Sequence, residues 1–304
     1  MDIQQLRCFQ AVAEELHFGR AAERLHMTAS PVSRMVKDLE RELGADLFIR
    51  GYHRIQLTPA GHELARRVPP LLAELDRLRS EIPLVAAGGD RVVRLGASYM
   101  SPPVILDAVV ESAEKAGARR AVEVTLAPSA DLLPQLTRGE LDAVLVHLPV
   151  EDPGVMSLPL ARYRFLVAMR RDDPLACHEV ISVGDLADRT VVFMPLTLQP
   201  AAMGHLRDEL VAKGLRRLRI IANADTTMIA THVRRTGDLT FTLAPSTGGS
   251  ARIYDDPAFA VVPVTDGPSF GLGLVWRADR AGDPVVHGLV DAVRDRWPDG
   301  EVTI

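Results

Sequence analysis

The sequence lacks the features that would make a disulfide scaffold, a membrane span or a secreted leader. Only two cysteines occur, Cys8 and Cys177, far apart in the chain. That excludes a disulfide framework and a four-cysteine zinc site, and suits a reducing compartment. No apolar stretch approaches the roughly 18 residues that crossing a membrane takes. Asp2, Arg7, Glu14 and Glu15 leave no apolar core for a signal peptide. A cytoplasmic protein with no membrane association is expected. Positive charge is not in excess either: 35 Lys and Arg against 40 Asp and Glu give a net charge of −5. Contact with nucleic acid must therefore come from a local surface rather than a global field. Catalytic signatures are missing as well. There is no G-x-S-x-G, P-loop or G-x-G-x-x-G, and His147, His178, His205 and His232 are scattered without metal-ligand spacing. Neither metal nor cofactor is expected, and an enzyme would need a nucleophile with a base, or a phosphate loop.

What the sequence holds is a change of texture. At 304 residues, with 47% hydrophobic and 25% charged positions, it has material for about two globular domains. In the first 58 residues, Ile3, Leu6, Phe9, Val12, Ala13 and Leu16 recur at helical spacing. A second helical piece runs from about Phe18 to Leu25. A third begins near Thr28, with Val32, Val36, Leu39 and Leu43 on one face, and stops at Gly44. Leu47-Phe48 and Ile55–Thr58 predict a short hairpin turning at Gly51. From Pro59 to about Val85 the pattern is one long helix, in which Leu64, Val68, Leu71, Leu75, Leu78 and Ile82 repeat at 4, 3, 4, 3 and 4. Such a seam needs a partner for its apolar edge. Pro69-Pro70 sits inside it and predicts a bend or break near Val68, with pairing carried by Leu71, Leu75, Leu78 and Ile82. A linker, Ala86–Asp90, follows. From residue 91 onward β-branched runs alternate with helical stretches, which predicts α/β units with mostly parallel strands.

The stretch from Phe18 to Arg50 reads as a helix-turn-helix. Thr28 is placed as the N-cap of the second helix, and Pro31 lies in its first turn. With the apolar positions facing inward, the opposite face presents Ala29, Ser30, Ser33, Arg34 and Lys37, a mixture able to approach base edges and phosphates. Arg20 and Arg41 read as solvated. From Phe48 to Arg67 there are four Arg and one Glu, a local +3 in an acidic chain.

Phe18, Ala21-Ala22, Leu25, Ser33, Leu39-Glu40, Leu43-Gly44, Leu47-Phe48, Arg50 and Leu57-Thr58-Pro59-Ala60-Gly61 together resemble the DNA-binding domain of LysR-type transcriptional regulators. The match departs at Thr28-Ala29-Ser30-Pro31, where the family commonly has Ser-Gln-Pro-Ala, so a base contact from that glutamine does not carry over. The resemblance implies an α/β protein overall. It places an N-terminal, all-α winged helix-turn-helix at 1–58 and a linker helix for dimerisation at 59–88. The effector-binding domain at 89–304 would resemble periplasmic binding proteins, with subdomain I at about 91–161 and 268–304 and subdomain II at about 162–267. DNA contacts are then expected from Thr28, Ala29, Ser30, Ser33, Arg34 and Lys37, with Arg50 and Arg54 on the wing holding phosphates. Implied partners are double-stranded promoter DNA, a small-molecule effector (often a carboxylate in the family), a second copy or a homotetramer, and RNA polymerase.

Ligands in open α/β sheets sit beyond the carboxyl ends of strands, at helix N-termini. Ser98, Tyr99, Ser101, Ser129, His147, Met194, Thr197 and Thr226 occupy such places and are the expected effector contacts. No cationic anchor for an acid stands out among them. Two readings compete with a regulator: an α/β enzyme with a helical extension, and a small-molecule scavenger in which the first 58 residues are idle.

Overall fold

The computed structural model describes residues 1–50, 55–86, 92–98, 100–116, 121–222, 225–298 and 300–303. Gly51, Arg54 and Tyr99 lie outside the described residues. The chain divides into two compact units, Met1–Gly89 with Arg138–Glu140, and Asp90–Thr137 with Leu141–Ile304.

The first unit is built from α1 (Ile3–Glu15), α2 (Phe18–Arg24), α3 (Ala29–Leu43), β1 (Phe48–Arg50), β2 (Ile55–Leu57) and α4 (Pro59–Ala86). Helix α1 opens on a reciprocal cap: the Asp2 carboxylate accepts from the Gln5 amide, and the Gln5 side chain accepts from the Asp2 amide. The periodic apolar residues then meet, with Leu6, Phe9, Val12, Val32, Val36, Leu39, Leu47 and Phe48 all buried together. Each such side chain contributes about 1.5–3 kcal/mol when fully withdrawn from water. Ala21 and Ala22, also buried, keep α2 close to its neighbours. Helix α3 ends where Gly44 takes φ 66°, the left-handed conformation that only glycine adopts freely.

Of the bend or break expected near Val68, helix α4 shows no break: it runs continuously from Pro59 to Ala86. The two missing donors destabilise it, at about 3 kcal/mol for an interior proline. Flanking them, however, Val68 and Leu72 are 2% and 5% exposed in the core of the first unit, and their burial opposes that cost. Tertiary packing holds the helix across its weakest residues. The apolar seam also divides. Leu64, Val68 and Leu75 pack into this unit's own core with Leu72, whereas Leu71, Leu78 and Ile82 are exposed.

The second unit holds two sheets. Strands β3 (Val93–Ala97), β4 (Val122–Leu126), β5 (Ala143–Leu148) and β6 (Val155–Arg164) precede β7 (Leu166–Arg170), β8 (Thr190–Phe193), β9 (Arg217–Ile220), β10 (Leu239–Thr242) and β11 (Phe259–Pro263), and the chain closes with β12 (Ser269–Arg277) and β13 (Val302–Thr303). Helices α5 (Pro103–Lys115), α6 (Ser129–Arg138), α7 (Pro200–Ala212), α8 (Thr226–Thr236) and α9 (Pro284–Arg296) lie between them. One sheet has the order β13-β6-β12-β5-β3-β4, the other β11-β7-β10-β8-β9. The chain passes from the first to the second at Phe165 and returns through residues 264–268.

Expected as mostly parallel, the sheets are mixed. Strands β3, β4, β5, β8, β9 and β10 pair parallel among themselves, but β12 is antiparallel to β5 and β6, and β7 is antiparallel to β10 and β11. Parallel neighbours need a helical crossover. The short links between β6 and β7, and between β11 and β12, carry none, and each passes from one sheet to the other rather than back to its own. Strand β6 was not among the expected β-branched runs, and it contains Pro159, a residue that disfavours a paired strand. The structure places Pro159 at a register shift against β12, where Leu160 is skipped, and β13 pairs β6 only at Ala161 and Arg162. The proline thus occupies a bulge on an otherwise uncovered edge.

Candidate functional site

In the first unit, the turn between α2 and α3 passes through His26 at φ 53° and reaches Thr28 in extended conformation as the N-cap of α3. The Thr28 side chain makes no bond to the first-turn amides, and Pro31 has none to offer, so this helix end carries unsatisfied donors with positive character. With Val32, Val36 and Leu39 turned inward, Thr28, Ala29, Ser30, Arg34 and Lys37 are exposed and Ser33 is half-buried. The Arg34 side chain is 85% exposed and its nearest acid, Asp38, stands 3.9 Å away. Lys37 has no acidic partner among the described residues. The neighbouring cations behave differently. Arg20 is held by Glu15, Arg24 by Glu14 and Arg41 by Asp38. The helix therefore presents Lys37 with no ion pair and Arg34 in a long contact with an Asp38 that Arg41 holds more closely, beside small hydroxyls. Arg50 ends β1, opposite Ile55 of β2; Arg54 lies outside the described residues.

Three residues that position this face were not singled out for that role by sequence reasoning. Buried Glu40 accepts from the Leu47 and Phe48 amides at 3.0 and 3.2 Å, which ties the end of α3 to the start of the hairpin. Thr58 Oγ1 donates to the Asp46 carbonyl and accepts from the Gly61 amide. At Gly61 a Cβ would stand 2.1 Å from the Leu47 carbonyl oxygen, so any side chain there displaces backbone. A carboxylate with two amide partners seven and eight residues away is a signal visible only once the hairpin is placed.

In the second unit a cavity of about 140 Å³ lies between the two sheets. Of the expected contacts, Ser101, Met194 and Thr226 line it. Ser98 is buried behind it, accepting from the Gln199 side chain at 3.2 Å, and Ser129 donates to the Leu198 carbonyl. Thr197 is exposed and away from the cavity. His147 is buried against the Phe270 ring, with centroids 4.6 Å apart, and burial pushes its pKa down to about 4. It is a neutral core imidazole behind the wall. Most of the wall was not anticipated: Phe165, Phe193, Phe241, Phe270 and Tyr254 supply rings, joined by contacts of 5.4 Å between Phe165 and Phe270 and 5.9 Å between Phe165 and Phe241. These come from three strands, the first crossing and a short helical turn, and no short motif collects them.

Residues 3–62 match the family described as bacterial regulatory helix-turn-helix protein, lysR family, and residues 86–298 match the LysR substrate binding domain. The chain belongs to the LysR family. It is a DNA-binding transcriptional regulator with an effector-binding domain. The regulator is 32% identical to the HTH-type transcriptional regulator IlvR of Caulobacter vibrioides, over 97% of this chain and 98% of that protein. Its fold is shared with CbnR, a LysR family transcriptional regulator (TM-score 0.63, 21% identity, 97% of this chain and 99% of that one). A full-length OxyR variant from Pseudomonas aeruginosa is similar as well (TM-score 0.62, 24% identity, 97% and 95%). Among the described residues of this LysR-family regulator, no helix is long and apolar enough to cross a membrane, and no three His, Cys, Asp or Glu side chains gather as metal ligands.

Proposed function

We propose that this regulator reads its operator through Ser30, Ser33 and Arg34 on α3. In this reading Thr28, Ala29 and Lys37 fit the groove and its edges, and Arg50 and Arg54 hold phosphates. The observation that carries it is a pair of exposed cations, Lys37 with no acidic partner among the described residues and Arg34 only loosely paired with Asp38, beside hydroxyls at an uncapped helix end. The protein acts in the cytoplasm by binding, with no turnover of its ligand. Two copies pair through the exposed Leu71, Leu78 and Ile82 of α4, alone or within a tetramer, so that two heads meet two half-sites. The cleft ligand shifts the balance of subunit arrangements, and with it the access of RNA polymerase to the promoter.

The test is binding to the promoter beside the regulator's own gene, across a salt series. Replacing Arg50 or Arg54 with Ala should weaken cognate and random DNA alike and reduce the salt slope by roughly one per lost phosphate contact. Replacing Ser33 or Arg34 should instead change which sequence is preferred. Equal losses on cognate and random DNA for those two variants would remove them from base reading.

A further inference from the structure

The wall of the cavity in the second unit is selective about charge. Among its described lining residues there is no Lys, Arg, His, Asp or Glu. Tyr254 is ionisable, but burial raises its pKa further above the ordinary phenol value, so it stays neutral. An ionised ligand would lose its hydration here and meet no countercharge.

Neither of the two α-helix ends considered next, those of α5 and α8, makes up for this. Pro102 and Pro103, which both line it, begin α5 without an N–H between them. At α8, whose first residue Thr226 also lines it, the Asp225 carboxylate already accepts from the Met228 amide. One helix end thus lacks donors and the other holds an anion of its own.

Three of the seven hydroxyls around the wall are committed. Thr240 donates to the Val192 carbonyl, Thr242 to that of Leu243 and Thr247 to that of Ala244. Ser101 differs: its Oγ is buried with no hydrogen-bond partner among the described residues. The volume, about 140 Å³, is close to that of an apolar cavity of about 150 Å³ that admits benzene.

We propose that the effector is an uncharged, apolar molecule built on one aromatic or six-membered ring, carrying a single neutral hydrogen-bonding group that meets Ser101 Oγ. This rests on the reading of the second unit as the effector-binding domain and narrows its ligand away from carboxylates.

The test is calorimetric titration of the full-length protein with matched ring compounds near neutral pH: benzyl alcohol, toluene and benzoate. Benzyl alcohol should bind, with benzoate at least about tenfold weaker. Ser101→Ala should weaken benzyl alcohol severalfold while leaving toluene unchanged. Ala251→Leu, which fills the cavity from a buried lining position, should abolish both while circular dichroism reports an intact fold. Benzoate binding as tightly as benzyl alcohol would overturn the proposal and leave the effector reading standing. So would a folded protein that binds none of the three. Should benzyl alcohol bind as described yet leave promoter affinity unchanged, the ligand class stands and the effector reading falls.

Discussion

Glu40 concentrates much of the first unit's order in one carboxylate. Its two amide partners, Leu47 and Phe48, are buried, so removing the acceptor leaves both donors without water. An unsatisfied buried donor costs about 1–3 kcal/mol. Glu40→Ala should therefore lower the melting temperature of the regulator by several degrees and weaken all DNA equally, as melting curves and titrations with cognate and random duplexes would reveal. A pattern of changed sequence preference would mean that Glu40 acts at the groove instead. His147 supplies a different residue-level signature. Its pKa is about 4 in the folded chain against 6.5 ordinarily, so between those values the unfolded chain binds more protons. Stability is then unaffected at neutral pH and falls as the pH drops from about 6.5 towards 4, by roughly 3 kcal/mol at most. Urea unfolding across that window should show the loss, and His147→Phe should flatten it.

Among elements, α4 is the one whose behaviour departs most from its sequence. Pro69→Ala and Pro70→Ala restore backbone donors in a helix that already spans them, so each should raise the melting temperature. Cysteines placed at 71 and 78 should crosslink two subunits under mild oxidation. One at 75 should do so poorly, because Leu75 packs on its own unit. Equal yields at 75 and 78 would mean that the whole stripe pairs. These contrasts show what the sequence made legible. Helices α1 to α3 were readable because their apolar residues share one local period and their ends carry Asp2, Thr28 and Gly44. The division of the α4 seam was not, since a heptad records that a stripe is apolar but not which neighbour covers each part. Strand β6 was not among the expected runs, and the tolerance of its Pro159 depends on a bulge set by β12, more than a hundred residues later. At the candidate sites, the residues proposed for the reading head are contiguous in sequence, so their shared outward face on α3 could be anticipated. The cavity wall is gathered from distant strands, so the hydroxyl positions at strand ends pointed to its rim and missed its rings.

For the whole molecule, the decisive place is the crossing at Phe165. The residue separates the last residue of β6 from the first of β7, its ring touches Phe241 of one sheet and Phe270 of the other, and it lines the cavity. Phe165→Ala should leave a folded protein with weaker ligand binding. It should also narrow the difference in promoter affinity between ligand-free and ligand-saturated protein, measured by titrating DNA with and without benzyl alcohol. An unchanged difference would show that the sheets move about some other point. The same placement has a mechanical meaning. Strand β9 lies three strand spacings from β7, a radius of roughly 14 Å. With the pivot at Phe165, a turn of about 10° sweeps that far edge through roughly 2.5 Å, close to half a strand spacing. Receptor and fulcrum are then one residue, and the remainder of the sheet serves as the arm that magnifies its displacement.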